Sequence, residues 1–389
     1  MKYREPLVAG MVRALCTLVV LGLPWHAQSA EPKGDVTDVR VIRHVDQHPG
    51  AALLWEPSIA LWKPRHLVAV FGAGIPGKVD MGDMLVSVST NDGDTWSEPV
   101  LVFDHNQHHG AMQFAYANPV LFKPPGQEVL WCFAMRCPMN SRDSEDARLT
   151  AAYSADGGRS WTPVEPAMHY TGPLITVSGG LYRVEENGQP RYLMPVHRNT
   201  RRHDPLGSRD QLMLSSTSLL EWRLAGFVPQ PKEGRVFLQE GNLAPGDEPG
   251  TLKLVMRTAT DQPEGKALDP PRAFSSVSRD GGRTWTVAQQ EPDLWNSVSK
   301  AYFGRTSDGT HVYVYSDGPA WSRMALRYKV KPKDGAWSEE HTFFDSGTHN
   351  SYPTLLEVAP GEYRAVWDSG TKDRHRTHIR FGKFRVSGR

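Results

Sequence analysis

Two sets of ionisable residues in this 389-residue chain have types and spacing suited to chemistry. His105, His108 and His109 crowd the segment before Tyr116 and Asn118, and His197, Arg198 and His203 fall together further on. Histidine suits proton abstraction because its pKa lies close to working pH. No tight His-x-x-x-His or Cys/His spacing accompanies them, so no metal is expected. The second set stands in Trp55-Glu56-Pro57, Ala117-Asn118-Pro119, Gln239-Glu240-Gly241 and Asn350-Ser351-Tyr352-Pro353, with Thr171 and Lys300 in comparable places. Arg136, His197 with Arg198, Arg257, Asp317 and Asp368 follow about one strand later, and the interval of 17 from Glu240 to Arg257 fits one strand out and one back. A Gly-x-Ser-x-Gly elbow, a P-loop and a dinucleotide fingerprint are all absent, and no cofactor is expected.

Whether these residues meet depends on the elements that carry them. Ser89-Thr90-Asn91-Asp92-Gly93-Asp94-Thr95-Trp96, Ser154-Ala155-Asp156-Gly157-Gly158-Arg159-Ser160-Trp161 and Ser278-Arg279-Asp280-Gly281-Gly282-Arg283-Thr284-Trp285 are copies of one motif, S-x-D-x-G-x-[ST]-W, with Asn91 replacing Asp in the first. Eroded copies end at Trp222 and Trp337, so the tryptophans at 96, 161, 222, 285 and 337 are 65, 61, 63 and 52 apart. Each copy is expected to be a tight hairpin turn, with Asp-Gly supplying positive backbone angles and Trp packing beneath. Between the turns lie β-rich runs such as 67–71, 129–133, 252–256 and 312–315, and no long helical period. Four short strands per unit of about sixty residues predict an all-β fold, a six-bladed β-propeller of four-stranded antiparallel blades. Val39-Arg40-Val41-Ile42 and His378-Ile379-Arg380-Phe381 are expected to share a blade and close the ring. In such a ring the second set of residues lies at one mouth of the central channel, and the turns lie on the opposite rim.

Charge and termini narrow the setting. Lys+Arg of 44 against Asp+Glu of 43 gives a formal +1, which argues against nucleic acid or an anionic membrane as partner. Lys2, Arg4 and Arg13 precede the apolar run from Ala14 to Leu23, then Pro24 and Ala27-Gln28-Ser29-Ala30, so 1–30 reads as a signal peptide. A single domain over 31–389 is then expected to work in the periplasm or outside the cell, as a monomer acting on a glycan. Cys132 and Cys137 remain, and their spacing permits a disulfide without requiring one.

The S-x-D-x-G-x-T-W copies resemble the Asp boxes of sialidases, and the order of landmarks along nearly all of 31–389 is similar to that of bacterial sialidase-like six-bladed propellers. The resemblance implies a secreted exo-glycosidase that cleaves a terminal acidic sugar. It implies Tyr352 as nucleophile, Glu240 as its partner, Asp80 as acid/base in preference to Asp83, and Arg257 and Arg323 as grips on the substrate carboxylate. Arg136, His197 and Asn118 are expected to bind substrate at the same mouth. One position departs: the family's first arginine stands in Arg-Ile-Pro, where this chain has Trp55-Glu56-Pro57. An ionised Glu56 would repel an anionic sugar unless Arg136 or Arg198 offsets it. Propeller-shaped polysaccharide lyases, similar in using His and Tyr for β-elimination beside a uronate carboxylate, supply an alternative for the histidines. A non-catalytic glycan-binding propeller using Trp55, Trp62, Tyr116, Trp295, Trp321 and Trp367 is the third reading.

Overall fold

A computed structural model describes residues 32–78, 80–109, 112–139, 146–170, 180–199, 209–260, 268–318 and 323–386. The expected leader at 1–30, together with Thr171, His203 and Trp321, lies outside them. Among the described residues, apart from a 3-10 turn at Val45–Gln47, the regular elements are strands, so the all-β expectation holds. The β-rich runs seen in the sequence fall within strands His66–Gly74, Leu130–Pro138, Leu252–Thr260 and His311–Ser316.

The expected count of six four-stranded blades is corrected. Four blades stand apart: Thr37–His44 with the last three strands, a five-stranded sheet from Ala167–Met168 to Glu221–Phe227, and the four-stranded sheets spanning Val236–Trp295 and Tyr302–Phe344. The strands between Leu54 and Val164 instead form one continuous nine-stranded sheet. The join is the pair Gly82↔Tyr116, which links the strand Gly82–Ser89 to Met112–Phe122. On its other side Gly82 lies close against His66–Gly74, where a Cβ would stand 1.9 Å from the Ala73 carbonyl oxygen, so only glycine fits there. A sixty-residue sequence period reports where turns recur, and strands on either side of a turn remain free to hydrogen-bond across two repeats.

The first and last strands do pair, with Arg40↔Phe381 and Val41↔Arg380 in antiparallel register. Ile42, Leu54, Phe71, Val366, Ile379 and Phe381 form one buried cluster across the closure. Cys132 and Cys137 form no disulfide, and both are buried on Leu130–Pro138, where the Cys137 thiol donates to the Ala115 carbonyl at 3.4 Å. Five residues of extended strand hold them roughly 16 Å apart, far beyond disulfide reach.

The Asp-box turns form as their sequence predicts. Asp156 Oδ1 accepts from the Ser160 amide at 3.0 Å, Asp156 Oδ2 from the Ser160 hydroxyl at 2.6 Å, and Ser154 Oγ from the Gly158 amide at 2.8 Å. The third copy repeats this with Asp280, Thr284, Ser278 and Gly282. Against a burial effect that raises them, hydrogen bonds from the Ser160 and Thr284 hydroxyls and amides hold the two carboxyls down to about 2. Asn91 Oδ1 accepts from the Thr95 amide at 3.0 Å, so an amide serves as well as a carboxylate. Gly93 in that turn has φ +89°, and a Cβ on it would meet the Phe381 ring at 2.2 Å. Gly93→Ala should therefore destabilise the protein by about 1–3 kcal/mol, through a left-handed non-glycine residue and overpacking of the closure, as read from urea unfolding.

Candidate functional site

Four strands begin with the same local irregularity. Register shifts fall at Trp55/Ser58, Ala117/Val120, Gln239/Asn242 and Ser351/Thr354. Each bulge contains one non-glycine residue with positive φ: Glu56 at 48°, Asn118 at 52°, Glu240 at 49° and Tyr352 at 55°. Such a conformation costs about 1–3 kcal/mol and persists only where the surrounding structure enforces it. Bulges redirect side chains, and here they carry a carboxyl, an amide, a second carboxyl and a phenol. The sequence held this signal in Glu-Pro, Asn-Pro, Glu-Gly and Tyr-Pro, four copies of a polar residue before Pro or Gly at equivalent strand starts. The Asp-box serines end the third strands at the far end, where Leu67 pairs with Ser89.

Tyr352 is the centre of the cluster. Its hydroxyl accepts from Arg257 Nη1 at 3.1 Å and lies 3.5 Å from both Arg323 Nη2 and Glu240 Oε1. Arg257 Nη1 also donates to both oxygens of Glu240 at 2.8 Å. The Arg323 and Arg376 guanidinium carbons stand 4.8 and 5.0 Å from the Tyr352 ring centroid, and Lys300 Nζ stands 5.8 Å away. Arg376 Nη1 holds Asp80 Oδ1 at 2.6 Å and its Nε lies 3.9 Å from Asp368 Oδ2. Asp368 is fully buried, accepts from the Glu56 amide at 3.2 Å and from the Ser351 hydroxyl, and sits 3.6 Å from His349 Nε2. Asn118 Nδ2 donates to Glu56 Oε2.

Tyr352, Glu240, Arg257 and Arg323 are thus brought together, Asp80 joins through Arg376, and Asn118 joins through Glu56. Arg136 is engaged elsewhere, donating to Glu165 at 2.7 Å and packing over the Phe114 ring. His197 is buried on Gln189–Asn199 opposite Gln211. Asp317 pairs with Arg327 and Arg198 with Asp210, while His105 Nδ1 lies 2.7 Å from Asp83 Oδ1. The side chains of His108 and His109 lie outside the description. Arg376 had no motif to announce it. It arrives because the closing sheet sets the segment before His378–Arg385 against the first inner strand, where the Leu54 amide donates to the Arg376 carbonyl at 2.7 Å.

The electrostatics divide the carboxyls. Burial pushes Glu56 up to about 8, with Asp80 and Glu240 adding to it while Arg376 and Lys300 oppose. The offset anticipated from Arg136 or Arg198 therefore comes from other residues, and mainly from protonation of Glu56 itself. Burial acts to raise Glu240 too, yet the charge and hydrogen bonds of Arg257 outweigh it and hold Glu240 below its ordinary value. Burial raises the Tyr352 phenol, with Arg323 opposing, and lowers the Lys300 ammonium. For Arg376, burial is overcome by Asp80 and Asp368, which keep it firmly charged.

A pH dependence follows. Below about 8 Glu56 is neutral, and above it a negative charge appears beside the arginines. Affinity for an anionic ligand should fall about tenfold from about pH 7 to pH 9. Titration calorimetry with a small carboxylate ligand across this range checks this, and Glu56→Gln should remove the fall.

Residues 65–365 match the protein-family model described as BNR repeat-like domain. No curated protein sequence matches the chain. Among solved structures, a protein of unknown function from Dyadobacter fermentans is similar with a TM-score of 0.66 and 17% identity, covering 92% of this chain and 99% of that one. A Hadza microbial sialidase is similar with a TM-score of 0.69 and 17% identity over 90% of this chain and 68% of its own. The NanB sialidase of Streptococcus pneumoniae gives a TM-score of 0.65 at 11% identity, over 89% and 70% of the two chains.

Proposed function

Because this chain belongs to the BNR repeat-like family and shares its fold with sialidases, we propose that it is a glycoside hydrolase that removes a terminal acidic sugar from a glycan through Tyr352. The observation that carries this reading is the buried phenol held between Glu240 and three guanidinium groups. A phenol raised by burial is a poor nucleophile until a base takes its proton, and ionised Glu240 at 3.5 Å is the nearest base. Tyr352 Oη attacks the anomeric carbon as its proton passes to Glu240, and the glycosidic C–O bond breaks. Asp80 gives a proton to the leaving oxygen, then takes one from the water that attacks the anomeric carbon, and Glu240 returns its proton to Tyr352 as the bond between the sugar and Tyr352 breaks.

Arg257, Arg323 and Arg376 grip the sugar carboxylate, for which planar guanidinium donors are suited. Arg376 then stands in for the arginine missing at Trp55-Glu56-Pro57. Its present partner is Asp80, so a substrate carboxylate that takes over these donors frees Asp80 to carry a proton. The leader expected over 1–30 would place this activity in the periplasm or outside the cell.

Incubation with sialosides and with uronate-containing polysaccharides tests the reading. Release of a terminal acidic sugar without a rise in ultraviolet absorbance is expected. A rise from an unsaturated uronate would mean elimination, and no cleavage of either substrate would leave a binding protein.

A further inference from the structure

We propose that Glu56 and Asn118 form an uncharged hydrogen-bonding subsite that reads hydroxyl groups of the bound sugar. This rests on the reading of the pocket as one for an anionic sugar, and adds a neutral pair next to the guanidinium groups that grip the carboxylate. The two residues occupy left-handed bulge positions on the strands Leu54–Lys63 and Met112–Phe122, and both are more than nine-tenths buried. One hydrogen bond joins them, from Asn118 Nδ2 to Glu56 Oε2. Glu56 Oε1 and Asn118 Oδ1 have no hydrogen-bond partner among the described residues. The backbone of Glu56 is fixed by the bond from its amide to Asp368 Oδ2 at 3.2 Å.

The chemistry follows from protonation. Asp80 and Glu240 face Glu56 as negative neighbours, Arg376 and Lys300 as positive ones, and burial favours the neutral acid, so at neutral pH Oε1 carries a hydrogen. Beside it Asn118 Oδ1 can only accept. A donor next to an acceptor is complementary to a hydroxyl group, which both accepts and donates. It is a poor match for a carboxylate, which needs two donors and finds them on the arginines. A ligand with hydrogen in place of the hydroxyl leaves buried polar groups unsatisfied, and sites of this kind reject such analogues strongly.

The experiment compares ligands that share a carboxylate and differ in hydroxyls. Binding of N-acetylneuraminic acid, glucuronic acid and galacturonic acid is measured by titration calorimetry against tetrahydropyran-2-carboxylate, which has the ring oxygen and carboxylate alone. Glu56→Ala and Asn118→Ala should weaken the tightest hydroxylated acid at least about tenfold, while the affinity for tetrahydropyran-2-carboxylate changes less than about twofold. Glu56→Gln, which restores a neutral donor and acceptor, should recover most of the loss. Equal weakening of both ligand types, or of neither, overturns the proposal, and thermal unfolding identifies any variant that has lost its fold. Binding of neutral methyl pyranosides but no acid, lost in Glu56→Ala, would keep the hydroxyl subsite and overturn the anionic reading instead. No binding of any of these ligands to the unaltered protein overturns both.

Discussion

Tyr352→Phe should lower turnover of a fluorogenic sialoside at least about a thousandfold while leaving the protein folded. The substitution removes one oxygen from a residue that is 2% exposed and keeps the ring between Arg323 and Arg376. Glu240 keeps both hydrogen bonds from Arg257, so the buried ion pair survives. The folding cost is then limited to the lost acceptor for Arg257 and the longer contacts to Arg323 and Glu240, about 1–2 kcal/mol. Turnover and urea unfolding on the same preparation separate the two effects. Undiminished turnover in the folded variant rules out Tyr352 as nucleophile, and with it the proposed double displacement.

The second large effect concerns stability. Arg257→Met leaves the Glu240 carboxylate buried without its main counter-charge, and breaking such a pair from one side costs about 3–5 kcal/mol. Urea unfolding at neutral pH should show this loss, and adding Glu240→Gln should recover part of it, because the uncompensated charge is then gone. The pH dependence has a definite sign. Glu240 is held below its ordinary 4.5 in the folded protein, so its contribution is fully present above 4.5 and fades as pH falls through the lower folded value. In Arg257→Met the main cause of the depression is gone and burial is opposed only by Arg323 and Lys300, so acid should destabilise the variant less than it destabilises the unaltered protein. A loss below about 1 kcal/mol would mean that solvent reaches Glu240 and compensates it.

The sequence alone settled what is decided locally. Ser, Asp, Gly and Trp at fixed offsets satisfy one another within eight residues, so the three Asp-box turns form wherever they occur, and Asn91 shows that any short acceptor suffices. The β-rich runs became strands for the same reason, since their side chains fit a pleated surface. The positions of Tyr352, Glu240 and Arg257 at one mouth were expected from strand direction once those turns were placed, and that of Arg323 from the sialidase resemblance. Tertiary structure decided the rest. The pair Gly82↔Tyr116 joins strands from neighbouring repeats, which merges what the period counts separately. Arg376 reaches Tyr352 only because strands more than 300 residues apart pair and bring the segment before His378 onto the first inner strand. The proton on Glu56 depends on burial among Asp80, Glu240, Arg376 and Lys300, which come from segments far apart in the chain. Residue type and spacing encode turns and strands through short-range hydrogen bonds. The charge state of a buried carboxyl is a sum over its neighbours in space, and those neighbours exist only in the closed fold.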